Sequence, residues 1–331
     1  MTRRVVVIGG GESAEHDVSL GTAAAISDAL TRLGFHVDDI TINKNGVWTY
    51  RGKPLGETPR ASVAGALTLF DTADTIFPAV HGVLGEDGTL AALCAITHTP
   101  MVGSTLGAGA LAMDKWATKL IAEACGISTA SGVCVTAAEA EELLFTRDVV
   151  VKPVMAGSSY GVTLVRDHHE FADAIRVAAQ HDNRILVEEA IRGREIDVAV
   201  LRQADGTLVV APPLEIHAAG LFDTAAKYGG NPPFTVPAVL TEREEQDLTN
   251  AARIMFNALG CRGVARIDFF LTDNGLVLNE VNTIPGMTPD SQVPRMFAAG
   301  GVDYTSFIAE LVATAQSPAP ISTADLVFHG E

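Results

Sequence analysis

The chain has 331 residues, 47% of them hydrophobic and only 6% aromatic, enough for roughly two or three globular domains with well-filled cores. Its 23 Lys and Arg against 40 Asp and Glu leave a formal charge of −17. That balance opposes sequence-independent binding to DNA or RNA and docking on anionic lipid, so any phosphate ligand must be held by a few local basic side chains and backbone N–H groups.

The first element reads as a short buried strand, Arg4 to Ile8, running into the glycine turn Gly9 to Gly11. The run is too short for a secretory leader, and Glu12, Glu15, His16 and Asp17 follow at once. Ser19 is placed to cap a helix reaching about Leu33, with Gly34 ending it. Phe35 to Ile42 reads as a second strand, Asn45-Gly46 as a hairpin signal, and Thr75 to Val80 as a third buried strand entering the turn-rich segment His81 to Gly88. Strands alternating with helices predict an α/β region with a mainly parallel sheet up to about residue 100.

The pattern changes near residue 103. Helices are predicted near 106–113 and 115–125, then strands near 148–153 and 161–166 around the small-residue loop Ala156 to Gly161. A helix near 168–180 and a strand near 184–189 follow. From 194 on the chain is strand-rich, with a hairpin at Asp205-Gly206. Residues 217–233 have little periodicity, and a loop that long inside a compact protein is usually functional or disordered. A helix near 242–259 precedes strands at 263–271 and 276–281, joined by Thr272 to Gly275. Helical segments at 290–299 and 304–315 lead to a tail expected to be loose from Ser317. No repeat and no run of about 18 apolar residues occurs. The four cysteines, Cys94, Cys125, Cys134 and Cys261, form no C-x-x-C pair and read as reduced thiols; cytoplasm is the expected location.

Common nucleotide signals fail. There is no G-x-x-x-x-G-K-[ST], and Gly9 to Gly11 lacks the third glycine of G-x-G-x-x-G because position 14 is alanine. Asp38 and Asp39 near the second strand are only a weak hint of a dinucleotide site. The densest chemistry lies late in the chain. Arg266 and Asp268 share one strand face, and Glu280 and Asn282 share a face of the next. Two carboxylates and an amide oxygen suit magnesium bridging to phosphate, although spacing alone favours a polar strand face balanced by one arginine. Lys152 ends an apolar strand before the Ala156–Gly161 loop, whose backbone N–H groups could approach phosphate; an ordinary hairpin loop is the other reading. Lys115 alone would be a solvated helix lysine.

Taken together, these motifs resemble the D-alanine–D-alanine ligases of the ATP-grasp superfamily, from about Val5 to Ala315. The resemblance rests on ten motifs in order: Gly10 to Leu20; His81 to Gly88; Ala112 to Lys115; Val151-Lys152-Pro153; Gly157-Ser-Ser159; Val187-Glu-Glu189; Gly193-Arg-Glu195; Ala226-Lys-Tyr228; Arg266-Ile-Asp268; and Asn279 to Thr288. It implies an ATP-grasp fold: an N-terminal Rossmann-like α/β domain with a parallel sheet at 1–102, then α+β subdomains at 103–187 (central) and 188–316 (C-terminal). It also implies a homodimer, and ATP-dependent joining of two D-alanines or related small amino acids through an acyl phosphate for peptidoglycan precursors. No nucleic-acid or membrane partner is expected.

The resemblance further implies residue roles. Lys115, Lys152 and Lys227 would reach the ATP phosphates, with Lys227 on a lid at 217–233. Glu188 would accept from the adenine amino group, backbone groups of Glu189 and Ile191 would pair with the ring, and Glu195 would hold the ribose. Asp268, Glu280 and Asn282 would carry two Mg2+ ions, with Mn2+ as a substitute. Arg266 and the Gly286 N–H would face the developing oxyanion. Glu15, with His81 close by, would hold the ammonium of the first amino acid. Ser158 and Tyr228 would link Glu15 to the lid, and Ser291 would bind the carboxylate of the second amino acid. Several positions depart from the family pattern: Thr224 and Ala225 in the lid, Ala156 and Tyr160 in the phosphate loop, and Gln292 beside the second substrate. They cluster on the acceptor side, so an alternative is a ligase of the same family with a different acceptor. A non-catalytic nucleotide-binding relative is a remote alternative, disfavoured by the full set Lys115, Lys152, Lys227, Arg266, Asp268, Glu280 and Asn282.

Overall fold

The computed structural model describes residues 3–140, 142–143, 145–217 and 234–316. The N-terminal part comprises β1 (Arg4–Gly10), α1 (His16–Arg32), β2 (His36–Ile42), β3 (Trp48–Tyr50), β4 (Lys53–Pro54), α2 (Pro59–Phe70), β5 (Thr75–Pro78) and α3 (Thr89–Ile96). The sheet order is β4-β3-β2-β1-β5. β1 is parallel to β2 and β5, as the alternation predicts, whereas β3 and β4 form an antiparallel edge. Val5 to Ile8 have no exposed surface, because strands of a parallel layer are covered on both faces.

The turn after β1 requires glycine. Gly10 has φ +83°, and a Cβ there would lie 2.3 Å from the Ile42 carbonyl oxygen. Helix α1 begins at His16, not at a Ser19 cap. Ser19 is wholly buried one turn inside, where its hydroxyl accepts the His81 backbone N–H at 3.0 Å. The weak dinucleotide hint also has a structural explanation. Asp38 is buried and held by Arg4 Nε at 2.5 Å and by the Tyr50 hydroxyl.

The middle of the chain contains α4 (Leu106–Met113), α5 (Lys115–Ala124), β6 (Gly132–Val135), α6 (Ala137–Ala140), β7 (Val149–Pro153), β8 (Thr163–Val165), α7 (His168–Ala178) and β9 (Ile185–Glu189). Its four strands pair antiparallel in the order β6-β9-β7-β8, with α7 packed on the apolar face. The last part contains β10 (Arg194–Arg202), β11 (Leu208–Val210), β12 (Leu214–Ile216), β13 (Phe234–Thr235), α8 (Glu242–Ala258), β14 (Val264–Thr272), β15 (Gly275–Asn282), α9 (Gln292–Ala299) and α10 (Tyr304–Gln316). Its sheet runs β13-β12-β10-β14-β15, with β11 paired to β10. Helix α8 starts with a reciprocal capping box between Thr241 and Glu244 and packs Leu248, Met255 and Phe256 onto this sheet.

One apolar cluster joins the first and last parts. Val5, Val7 and Phe77 pack in the same cluster as Leu201, Phe297, Phe307 and Leu311. The rings of Phe297 and Phe307 stack with centroids 4.7 Å apart. Each such side chain, once fully buried, contributes about 1.5–3 kcal/mol. This shared core fixes β14, β15 and the segment after them against the N-terminal turns. No helix among the described residues is long and apolar enough to cross a membrane.

Candidate active site

Strand register builds an acidic cluster. In the β14–β15 pair Arg266 lies opposite Asn282 and Asp268 opposite Glu280, while β10 sets Asp197 opposite Asp268. Side chains alternate along a strand, so residues two apart share one sheet face. The Arg266 guanidinium forks onto Asp268, Nε to Oδ1 at 2.7 Å and Nη2 to Oδ2 at 2.6 Å. Its Nη1 donates to Gln292 Oε1 at 2.7 Å, and Gln292 Nε2 donates to Asp197 Oδ2 at 3.0 Å. Asn282 Nδ2 donates to Asp268 Oδ2 at 3.2 Å. Burial opposes the Arg266 charge, but Asp268, Asp197 and Glu280 outweigh it and hold the guanidinium well above its ordinary pKa. Asp197 is wholly buried; burial first and the Asp268 charge second push its carboxyl well above the usual carboxylate range.

A basic cluster lies between α5, β7 and β9. Glu188 Oε1 is 2.6 Å from Lys152 Nζ, and Oε2 is 2.7 Å from Lys119 Nζ. All three residues are buried. Burial raises the Glu188 pKa, yet the two ammonium groups outweigh it and leave the carboxyl below its usual range. Burial dominates at Lys119 and lowers its pKa, against the attraction of Glu188. Lys115 Nζ donates to the Ala156 carbonyl at 2.6 Å and is 3.8 Å from Glu280 Oε2. Glu189, at the end of β9, takes Arg147 Nη1 at 2.8 Å, and its N–H donates to the Ser131 carbonyl at 2.9 Å. Ile191 is half-buried in the link to β10, and Glu195 is half-buried on β10.

The N-terminal turns close the third side. Glu15 caps α1 by position, is buried, and its carboxylate accepts from the Ser158 hydroxyl. Ser158 and Ser159 both adopt left-handed backbone, φ 49° and 59°, an uncommon conformation for serine that turns this loop toward Glu15. Gly82, φ +74°, lies where a Cβ would come within 2.8 Å of Glu15 Oε2. His81 is buried. Its Nδ1 donates to the Ile284 carbonyl at 3.0 Å, and its Nε2 bonds Thr22 Oγ1 at 3.0 Å. Burial lowers the His81 pKa, but the Glu86 carboxylate, the Glu15 charge and the Ile284 carbonyl together raise it. His81 therefore ties the first domain to the segment after β15 in addition to facing the cavity.

These groups meet around a cavity of about 390 Å3. Glu15, His81 and Ser158 line one side, with Lys115 beside them. Arg266, Glu280, Asn282, Gly286, Ser291 and Gln292 line the other. Ser291 sits at the N-cap position of α9 without capping it. Its hydroxyl bonds Thr288 instead, so the helix starts at Gln292 and not at 290. Lys152, Glu188 and Asp268 are not part of this lining; Glu188 and Glu189 line a second cavity of about 250 Å3, with Arg147 and Val187. Lys227, Tyr228, Thr224 and Ala225 lie outside the described residues. Sequence reasoning missed Lys119 and Asp197. Lys119 is one helical turn after Lys115, and Asp197 shares a strand face with Glu195, two spacings that could have revealed them.

Among the described residues no three His, Cys, Asp or Glu side chains converge as a metal cage. The expected ligands are two carboxylates and an amide, which fits magnesium held partly by substrate phosphates. In this structure both Asp268 oxygens are engaged by Arg266, so a bound cation would share Asp268 with that guanidinium.

Family models describe the same chain. The model "D-ala D-ala ligase N-terminus" matches residues 4–104, and "D-ala D-ala ligase C-terminus" matches residues 129–313. A D-alanine–D-alanine ligase of Corynebacterium urealyticum is 37% identical over 352 residues, covering 94% of this chain and 97% of that protein. One from Mycolicibacterium smegmatis is 35% identical, covering 94% and 95%. Among solved structures, the VanG D-Ala:D-Ser ligase of Enterococcus faecalis superposes with TM-score 0.79 at 32% identity, covering 95% of this chain and all of that one. The D-alanine–D-alanine ligase of Coxiella burnetii gives TM-score 0.81 at 28% identity, covering 96% and 94%.

Proposed function

The chain belongs to the D-alanine–D-alanine ligase family and is an ATP-dependent ligase of the ATP-grasp fold, and from that premise we propose that it joins two D-alanines into D-alanyl-D-alanine. The observation that carries this reading is the meeting of Glu15 and Ser158 with Arg266, Gly286 and Ser291 around one cavity. A carboxylate, a guanidinium and backbone and hydroxyl donors facing a small-molecule space suit zwitterionic amino acids.

In this reading the Glu15 carboxylate holds the ammonium of the first amino acid, with His81 beside it. Ser158, with Tyr228, keeps Glu15 oriented. The first substrate's carboxylate attacks the terminal phosphorus of ATP, and ADP leaves. Ser291 holds the second substrate's carboxylate while its amine attacks the acyl carbon, and phosphate leaves from the tetrahedral intermediate. Arg266 and the Gly286 N–H donate to the oxygen that gains charge, where one fixed donor is worth about 3–4 kcal/mol. Lys115, Lys152 and Lys227 draw the phosphates. Glu188 accepts from the adenine amino group, the backbone at Glu189 and Ile191 faces the ring, and Glu195 holds the ribose. Asp268, Glu280 and Asn282 would hold two Mg2+ ions, which neutralise phosphate charge when bound. Positioning and electrostatics then supply most of the acceleration.

The units acting together are 1–102, 103–187 and 188–316, in a cytoplasmic homodimer serving peptidoglycan precursors. The test is ATP-dependent phosphate release with a panel of D- and L-amino acids and D-lactate, with the product weighed by mass spectrometry. D-alanine alone should give D-alanyl-D-alanine with one phosphate released per peptide. Better turnover with another acceptor would overturn the D-alanine assignment and leave the ligase chemistry standing.

A further inference from the structure

Arg266 is held from two sides. On one side, Asp268 takes its Nε and Nη2. On the other, Gln292 takes its Nη1, and Asp197 Oδ2 lies 3.4 Å from its Nε. Asp197 has no exposed surface, and its Oδ1 is buried without a hydrogen-bond partner among the described residues. An unsatisfied buried carboxylate oxygen is costly and needs a reason. Gln292 is the residue type that fits between the two groups. One end of its amide accepts from the guanidinium and the other donates to the carboxylate. A leucine could do neither, and an ionised glutamate has no N–H to donate to Asp197.

We propose that Asp197 and Gln292 form a second anchor that keeps Arg266 pointed into the cavity when Asp268 turns to a divalent cation. The inference rests on the roles given above to Arg266 and Asp268. A cation on Asp268 weakens that hold and repels the guanidinium. Gln292, itself held by Asp197 Oδ2, then fixes the direction of the guanidinium. Gln292 is thus a positioning residue. Its amide is spent on Arg266 and Asp197, which also accounts for a polar residue where the family pattern is apolar.

The test uses the full chain with Gln292→Leu and Asp197→Asn. Mn2+ affinity is read by electron paramagnetic resonance in the presence of ADP, alongside steady-state kinetics with D-alanine and D-serine as acceptors. Without the anchor, Arg266 competes harder for Asp268, so Mn2+ affinity should fall about 10-fold. Turnover should fall about 10-fold to 100-fold as Arg266 loses its aim, with KM for ATP and the D-alanine to D-serine preference unchanged. Gln292→Leu keeps the side-chain volume close and decides the matter if Asp197→Asn does not fold. Wild-type Mn2+ affinity and turnover in Gln292→Leu would overturn the anchor, as would a changed acceptor preference, which would make Gln292 a substrate contact. Arg266→Ala separates the two readings. An inactive Arg266→Ala beside a wild-type Gln292→Leu overturns the anchor alone, whereas a fully active Arg266→Ala overturns the role of Arg266 and the anchor with it.

Discussion

The two charged clusters are imbalanced in opposite directions. At the β10–β14 face one guanidinium, Arg266, stands against Asp197 and Asp268. Between α5, β7 and β9 one carboxylate, Glu188, stands against Lys119 and Lys152. Each has one more ionisable group of one sign than of the other, and the signs in excess are opposite. Within a protein of net charge −17, the acidic cluster is suited to gain a cation and the basic cluster an anion. A nucleotide triphosphate with its metal brings both. Buried ions are expensive unless paired, so each imbalance is a site of low stability that the ligand relieves.

The comparison can be broken most severely at Glu188. Glu188→Gln leaves two buried ammonium groups facing each other and should lower unfolding free energy in urea by about 3–5 kcal/mol. Adding Lys119→Met should restore part of that loss. A Glu188→Gln protein of wild-type stability would mean that the basic cluster is not under strain. Glu280→Ala tests the acidic side through turnover. It should reduce kcat about 10²-fold to 10³-fold, or about 3–4 kcal/mol, while circular dichroism stays native.

The pH response should differ in sign between the two clusters. Glu188 has a lowered pKa in the fold, so its stabilisation is complete above the unfolded carboxylate value and is lost as pH falls through the folded one. Asp197 has a raised pKa, so its contribution is complete below the unfolded value and is lost as pH rises through the folded one. Urea unfolding of the ligand-free protein from about pH 3 to pH 8 should show Glu188→Gln flattening the acid limb and Asp197→Asn flattening the opposite slope. The mildest perturbation lies outside both clusters. Thr241→Ala breaks the α8 capping box and should cost about 1 kcal/mol with no change in turnover. A large activity loss there would mean that activity follows overall stability and not the two clusters.

How much was readable in advance follows the range of each interaction. The β1 turn, the Asn45-Gly46 and Asp205-Gly206 hairpins and the pairing of β14 with β15 follow from local pattern, and the structure has them. That pairing also brings Arg266, Asp268, Glu280 and Asn282 together, because residues two apart in a strand share a face. The helix cap at Ser19 failed because a distant partner, the His81 N–H, claims that hydroxyl. Lys119 and Asp197 share a helix face and a strand face with residues already singled out, but their partners are just as distant. A lysine on a helix and an aspartate in a strand acquire meaning only when β9 and β14 arrive beside them.

The apolar cluster shared by β1 and α10 has a consequence for biosynthesis. Val5 leaves the ribosome long before Phe307, which is buried in the same core. At about 5–20 residues per second that interval is about 15–60 s, during which one face of α1 and β1 has no cover. The first domain can form its sheet early but cannot finish its core until α10 is made. Nascent chains stalled before residue 304 should therefore expose a greasy surface that chaperones would bind, and release from them should await α10.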